Sequence, residues 1–156
     1  MIVGAAIVIL SAAGVDARCS RSTLESFIGT FKSARDSISA RPSQSYKRLT
    51  NLDQRLEACI QVEQDKELRF KLVLFSTGIQ AYIGAADATA GNIARGNATA
   101  DTALERAKDL VRENRAHPAD LKLADELIVQ LDRPLRLIRE IRSAHATPKP
   151  HASRSG

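Results

Sequence analysis

Apolar residues return every three or four positions through most of this chain, the rhythm of helices that bury one face. The first such face runs Leu24, Phe27, Ile28, Phe31, Ala34 and Ile38, and Ser22 with Glu25 has capping-box spacing at its start. Arg41-Pro42-Ser43 ends it, because proline pushes its predecessor out of helical geometry. A second helix over about 45–62 presents Tyr46, Leu49, Leu52, Leu56 and Cys59. The polar run Glu63 to Glu67 then shifts the apolar phase, which predicts a break or stutter. No Gly or Pro interrupts it, so a single rod stays open as the alternative.

A third helix over about 67–89 has the cleanest stripe: Leu68, Leu72, Phe75, Ile79, Tyr82, Ile83 and Ala86. Gly91-Asn92 and Gly96-Asn97 predict a loop. A fourth helix over about 98–115 turns Ala100, Leu104, Ala107 and Val111 inward, and His117-Pro118 breaks it. Pro118 suits the first turn of a fifth helix carrying Leu121, Ala124, Leu127, Ile128, Leu131, Leu135, Ile138 and Ile141. Pro134 kinks that helix or splits it. With short connections and no convincing strand, the pattern predicts an all-α, antiparallel bundle of four to five amphipathic helices over residues 18–142. The proline-bearing stretch 143–156 reads as a basic, disordered tail.

The beginning of the chain breaks this rhythm. Ile2 to Val15 carries no charge, and Asp16 ends the run. That length matches the apolar region of a signal peptide and falls short of the roughly 20 residues a spanning helix needs. Small or compact residues at Val15-Asp16-Ala17 place cleavage after Ala17, with Ser11-Ala12-Ala13 as a second candidate, making 1–17 a signal segment and the mature protein periplasmic or secreted. Arg18 directly before Cys19 argues against lipidation of that cysteine.

Export changes the meaning of the two cysteines. Cys19 and Cys59 are the only ones, and an oxidising compartment favours their union. The turn near residue 42 folds helices one and two into a hairpin, which brings both sulfurs toward the same end. Closing that loop is expected to stabilise the fold by roughly 3–4 kcal/mol.

Composition adds a helical bias, with 24 alanines, 16 leucines and few aromatic residues. Charge adds location. The chain carries 23 basic and 18 acidic residues, yet residues 1–132 hold 17 of each sign. The whole surplus lies after Asp132, in Arg133, Arg136, Arg139, Arg142, Lys149 and Arg154 against Glu140 alone. Four arginines at three-residue spacing suggest a stripe able to grip an anionic lipid, lipopolysaccharide or nucleic acid. Nucleic acid is the weakest of these, since no aromatic residue follows Tyr82 to stack on bases. Basic residues near a helix C-terminus also suit the helix dipole without any ligand.

Catalytic and cofactor patterns are missing. Two of the three histidines, His145 and His151, lie in the tail, and His117 sits at a helix junction. There is no Glu-x-x-His pair for a di-iron bundle, no haem attachment motif and no phosphate-binding loop. Asp101, Glu105, Asp109 and Glu113 line one side of the fourth helix, but interleaved Arg and Lys residues make them a solvated face. Asp53 and Glu57, flanking Arg55, read the same way. The expectation is a non-enzymatic interaction or structural module of the bacterial envelope, without cofactor or metal, most simply meeting a protein partner. A peripheral binder of an anionic surface is the second reading, and a small hydrolase using carboxylates is the third.

Overall fold

The computed structural model describes residues 19–146, and these form five helices joined by short turns. The signal segment, Lys149 and Arg154 lie outside the described residues. Helix α1, Arg21–Asp36, is capped by Ser20, whose hydroxyl accepts from the Thr23 amide. The cap is therefore two residues earlier than the Ser22–Glu25 spacing predicts. Glu25 instead faces solvent and pairs with Arg21. Helix α2, Pro42–Val62, starts on the proline itself, whose missing N–H costs nothing in a first turn.

The polar run does break the chain. Asp65 caps α3, Lys66–Thr89, by accepting from the amides of Glu67 and Leu68. Helix α4 covers Ile93–Glu113 and α5 covers Pro118–Ala146. Pro134 neither ends nor splits α5, and its ring is buried in the core. The helix also runs four residues into the segment expected to be tail.

Half of the 24 residues of α3 are buried, on every side, so this helix is the shared wall of the molecule. On one side α1 and α2 close over Phe27, Leu49, Leu52, Leu56 and Ile79. On the other, α4 and α5 close over Leu74, Ala103, Ala107, Leu127 and Leu131. Sequence neighbours run antiparallel, as in a bundle with short loops. Ser33 beside Arg48, Asp53 beside Ser76 and Asn97 beside Arg142 show the opposed directions. The predicted cystine is present: Cys19 and Cys59 are bonded with their Cα atoms 5.5 Å apart, tying the lead of α1 to the end of α2.

The largest departure from the sequence reading is at Gly96-Asn97, which is helix rather than loop. Only Ala90 to Asn92 separate α3 from α4. Gly91 takes the left-handed conformation at φ 108°, its amide reaches Ala88, and the Asn92 amide reaches Asp87. That is the Schellman closure, which satisfies carbonyls that a helix end leaves bare. So short a turn forces the two helices together at once, and small residues make room. A side chain on Gly84 would strike the carbonyl of Gly96 at 2.5 Å and the amide of Ala100 at 2.9 Å. One on Gly96 would strike the Gly84 carbonyl and the amide of Ala88. The two Gly-x-x-x-Ala steps, 84–88 and 96–100, interlock backbone to backbone.

Candidate binding groove

Helix α1 packs chiefly on α2, and a groove remains between α1 and α5 with α3 as its floor. Three of the six aromatic side chains gather there. Phe31 of α1 meets Phe75 and Tyr82 of α3 edge to face, with centroids 5.5 and 5.4 Å apart. Leu74, Leu127 and Leu131 continue the apolar floor, and Gly78 leaves a gap in it between Phe75 and Tyr82. The groove encloses about 820 Å³. Val129 stands at its lip with 75% of its surface exposed.

The rim is charged and its two ends differ. Lys71 and Glu126 stand toward the start of α3, and Lys71 pairs with Glu67. Arg35, Arg133 and Arg136 stand at the Tyr82 end, where a second hollow of about 570 Å³ runs on toward Ile38 and Leu137. Arg35 lies 5.5 Å over the Phe31 ring and pairs with Asp36. Partial burial pushes the Tyr82 phenol above its usual range, against the pull of Arg133 and Arg35.

The four arginines predicted as a stripe do not share a face. Arg136 and Arg139 both pair with Asp132, and these contacts hold the Asp132 carboxyl below its usual range. Arg142 crosses to α4 and donates to the Asn97 side chain at 3.2 Å. Arg133 alone of the four lines the groove without an ion pair among the described residues. Helical geometry explains the scatter. Each three-residue step turns about 60° from the last, so three steps carry the series about half-way round the helix.

Two polar clusters escaped the sequence reading. Asp53 and Glu57 are not a plain solvated face: both reach across to the buried hydroxyl of Ser76 on α3, at 2.7 and 2.8 Å. A hydroxyl has one proton to give, so it satisfies one carboxylate at a time. Burial, helped by the Glu57 charge, pushes the Asp53 carboxyl above its usual range, while Ser76, Gln80 and Arg106 oppose the shift. The second cluster closes the α3–α4 turn. Buried Asp87 takes a two-point contact from Arg95, at 2.6 and 2.8 Å, and a further bond from Asn92. The Arg95 hydrogen bond is the main cause holding Asp87 below the usual carboxylate range. Arg95 also lies over the Tyr46 ring and so links α4 to α2.

Comparison of the chain with protein-family models, with curated proteins and with solved structures finds no match.

The acidic row of α4 is exposed as expected, with Glu105 paired to Lys108 and Asp109 to Arg112. His117 and His145 are exposed, and His145 contacts only its own helix, at the Ile141 carbonyl. Among the described residues no three His, Cys, Asp or Glu side chains are grouped as a metal ion would need, and no helix is long and apolar enough to cross a membrane. The groove had one visible sign in the sequence. Gly78 interrupts the cleanest apolar stripe of the chain, where nothing in the periodicity calls for a glycine.

Proposed function

We propose that this chain is an exported, non-enzymatic interaction module of the bacterial cell envelope, and that its binding face is the groove between α1, α3 and α5. The observation that carries the reading is the concave, half-buried aromatic floor of Phe31, Phe75 and Tyr82 between two helices. Concave apolar surface with a few polar groups at its edge is the usual form of a binding site. The groove offers apolar surface and guanidinium groups at its rim, and it sets no base beside a nucleophile. Its walls belong to helices on both sides of α3. The bonded cysteines and the uncharged stretch Ile2 to Val15 support export, because such bonds persist in oxidising compartments. The scatter of Arg133, Arg136, Arg139 and Arg142 around α5 favours the groove over a flat anionic surface as the contact.

The test is a photo-crosslinking amino acid placed at Val129, or at Thr102 on the exposed face of α4, in the exported protein in cells. Adducts from Val129 and none from Thr102 are expected, on a chain whose N-terminus begins near Arg18. Equal labelling at the two positions, or none at Val129, would overturn the reading.

A further inference from the structure

We infer that the groove takes a fatty-acid-like amphiphile, one alkyl chain ending in one carboxylate, with the chain over Gly78 and the carboxylate at Arg133. The inference rests on the groove being the binding face and names what occupies it.

The first observation is Gly78. It lies inside a 24-residue helix, where glycine costs about 1 kcal/mol relative to alanine. Packing does not require it, unlike Gly84 and Gly96. A Cβ there would meet only Leu127, at an ordinary 3.7 Å. What the missing side chain leaves is depth in the floor between Phe75 and Tyr82.

The second is shape. From Lys71 to Tyr82 the floor rises about 16 Å along α3, and the volume of about 820 Å³ lies within the span of roughly 300–1,000 Å³ common to small-ligand sites. A narrow, extended apolar chain fits such a trough along its length.

The third is the polarity of the rim. Arg35 and Arg136 are engaged by Asp36 and Asp132, and Lys71 by Glu67. Arg133 stands at the Tyr82 end, exposed and with no ion pair among the described residues. A planar guanidinium matches a carboxylate in a two-point hydrogen bond, which is shorter and stronger than a neutral one. A neutral headgroup accepts at most a single-point bond there, and four basic side chains against Glu126 and Asp132 leave the lining net positive, which favours an anion. Asp132 is held by Arg136 and Arg139, while Glu126 stands at the other end, so the carboxylate is placed at the Arg133 end.

The experiment is calorimetric titration of the intact oxidised protein with laurate, dodecanol and dodecyltrimethylammonium, each below its micellar concentration. Laurate should bind one per chain and at least tenfold more tightly than either analogue. Arg133→Gln, at an exposed position, should weaken laurate about tenfold and leave dodecanol unchanged. Gly78→Leu should abolish laurate binding by filling the floor. Should that variant lose helical signal, Val129→Glu at the exposed lip reads the same site and should weaken laurate. Equal affinity for the three probes, no saturable laurate binding, or full laurate affinity in Arg133→Gln would each overturn the inference. Crosslinking at Val129 without laurate binding would remove the amphiphile and leave the binding face standing.

Discussion

The same substitution, glycine to alanine, should have opposite signs at two places in this molecule. At Gly96 the added methyl would sit 2.6 Å from the amide nitrogen of Ala88 and 2.9 Å from its Cβ, besides meeting the Gly84 carbonyl. Two of those three atoms are backbone of α3, which cannot rotate aside as a side chain would. Relief has to come from sliding the helices apart, yet the turn between them is three residues long and Asp87 pins α3 to Arg95. Overpacking of a tight core costs about 1–3 kcal/mol, and rigid neighbours place this case at the upper end. Alanine returns about 1 kcal/mol of helix propensity. A net loss of about 2 kcal/mol follows, or a fall in Tm of roughly 8 °C at about 4 °C per kcal/mol for a domain of this size. At Gly78 the propensity gain stands unopposed, since Leu127 is in ordinary contact at 3.7 Å. Gly78→Ala should raise Tm by roughly 2–4 °C for a gain of about 0.5–1 kcal/mol. Thermal and urea unfolding followed by far-ultraviolet circular dichroism reads both. An unchanged or raised midpoint in Gly96→Ala would refute the reasoning, because it would mean that the α3 and α4 backbones do not touch.

Half-buried Asp53 and buried Asp87 should pull the pH dependence of stability in opposite directions. Asp53 has a raised pKa in the fold, so its contribution is most favourable below its ordinary value of 3.8 and is lost as pH rises through the folded value. Asp53→Asn should therefore raise Tm at pH 7, and the gain should vanish below that ordinary value. Asp87 has a lowered pKa, so its contribution is present above 3.8 and is lost as pH falls through the folded value. Asp87→Asn should lower Tm at pH 7 and match the parent protein in strong acid. Replacing Cys19 and Cys59 together by serine opens a step of 40 residues and should cost roughly 3–4 kcal/mol in urea unfolding. A loss under about 1 kcal/mol there would mean that the denatured chain is already compact around that end.

The helices were legible because each buries a stripe, and stripes are written in the order of residues. The cystine was legible for a related reason: with two cysteines and a hairpin turn at Pro42, distance along the two arms leaves one pairing to consider. Legibility stopped where one helix depends on another. Gly96-Asn97 has the composition of a loop, but the glycine answers the backbone of Gly84 and Ala88 across the interface rather than a turn. Asp53 and Glu57 look like surface acids until Ser76 arrives from a helix that begins beyond a break. The arginines of α5 are evenly spaced in sequence, and that even spacing is what spreads them around a helix of 3.6 residues per turn.

Gly78 and Gly84 show how far one kind of residue can differ in what it does on a single helix. They lie six residues apart on α3, both away from turns, and sequence alone gives them equal weight. Gly84 gives way to a neighbouring backbone, so its missing side chain is spent on packing and adds stability. At Gly78 a Cβ would make only ordinary contact with Leu127, so the missing side chain lowers stability with no gain in packing. A fold selected for stability alone would put alanine there, as it does at Ala81, Ala85 and Ala88 on the same helix. The cost of about 1 kcal/mol is sizeable against a net stability of about 5–15 kcal/mol. In the proposed function its return comes from the ligand that enters the groove. A protein that binds there recovers such a loss as soon as the ligand exceeds its Kd several-fold, because ligand held only by the folded state adds to stability. On the proposed function, the depth of the floor at Gly78, more than the charge of the C-terminal helix, marks the working face of this bundle.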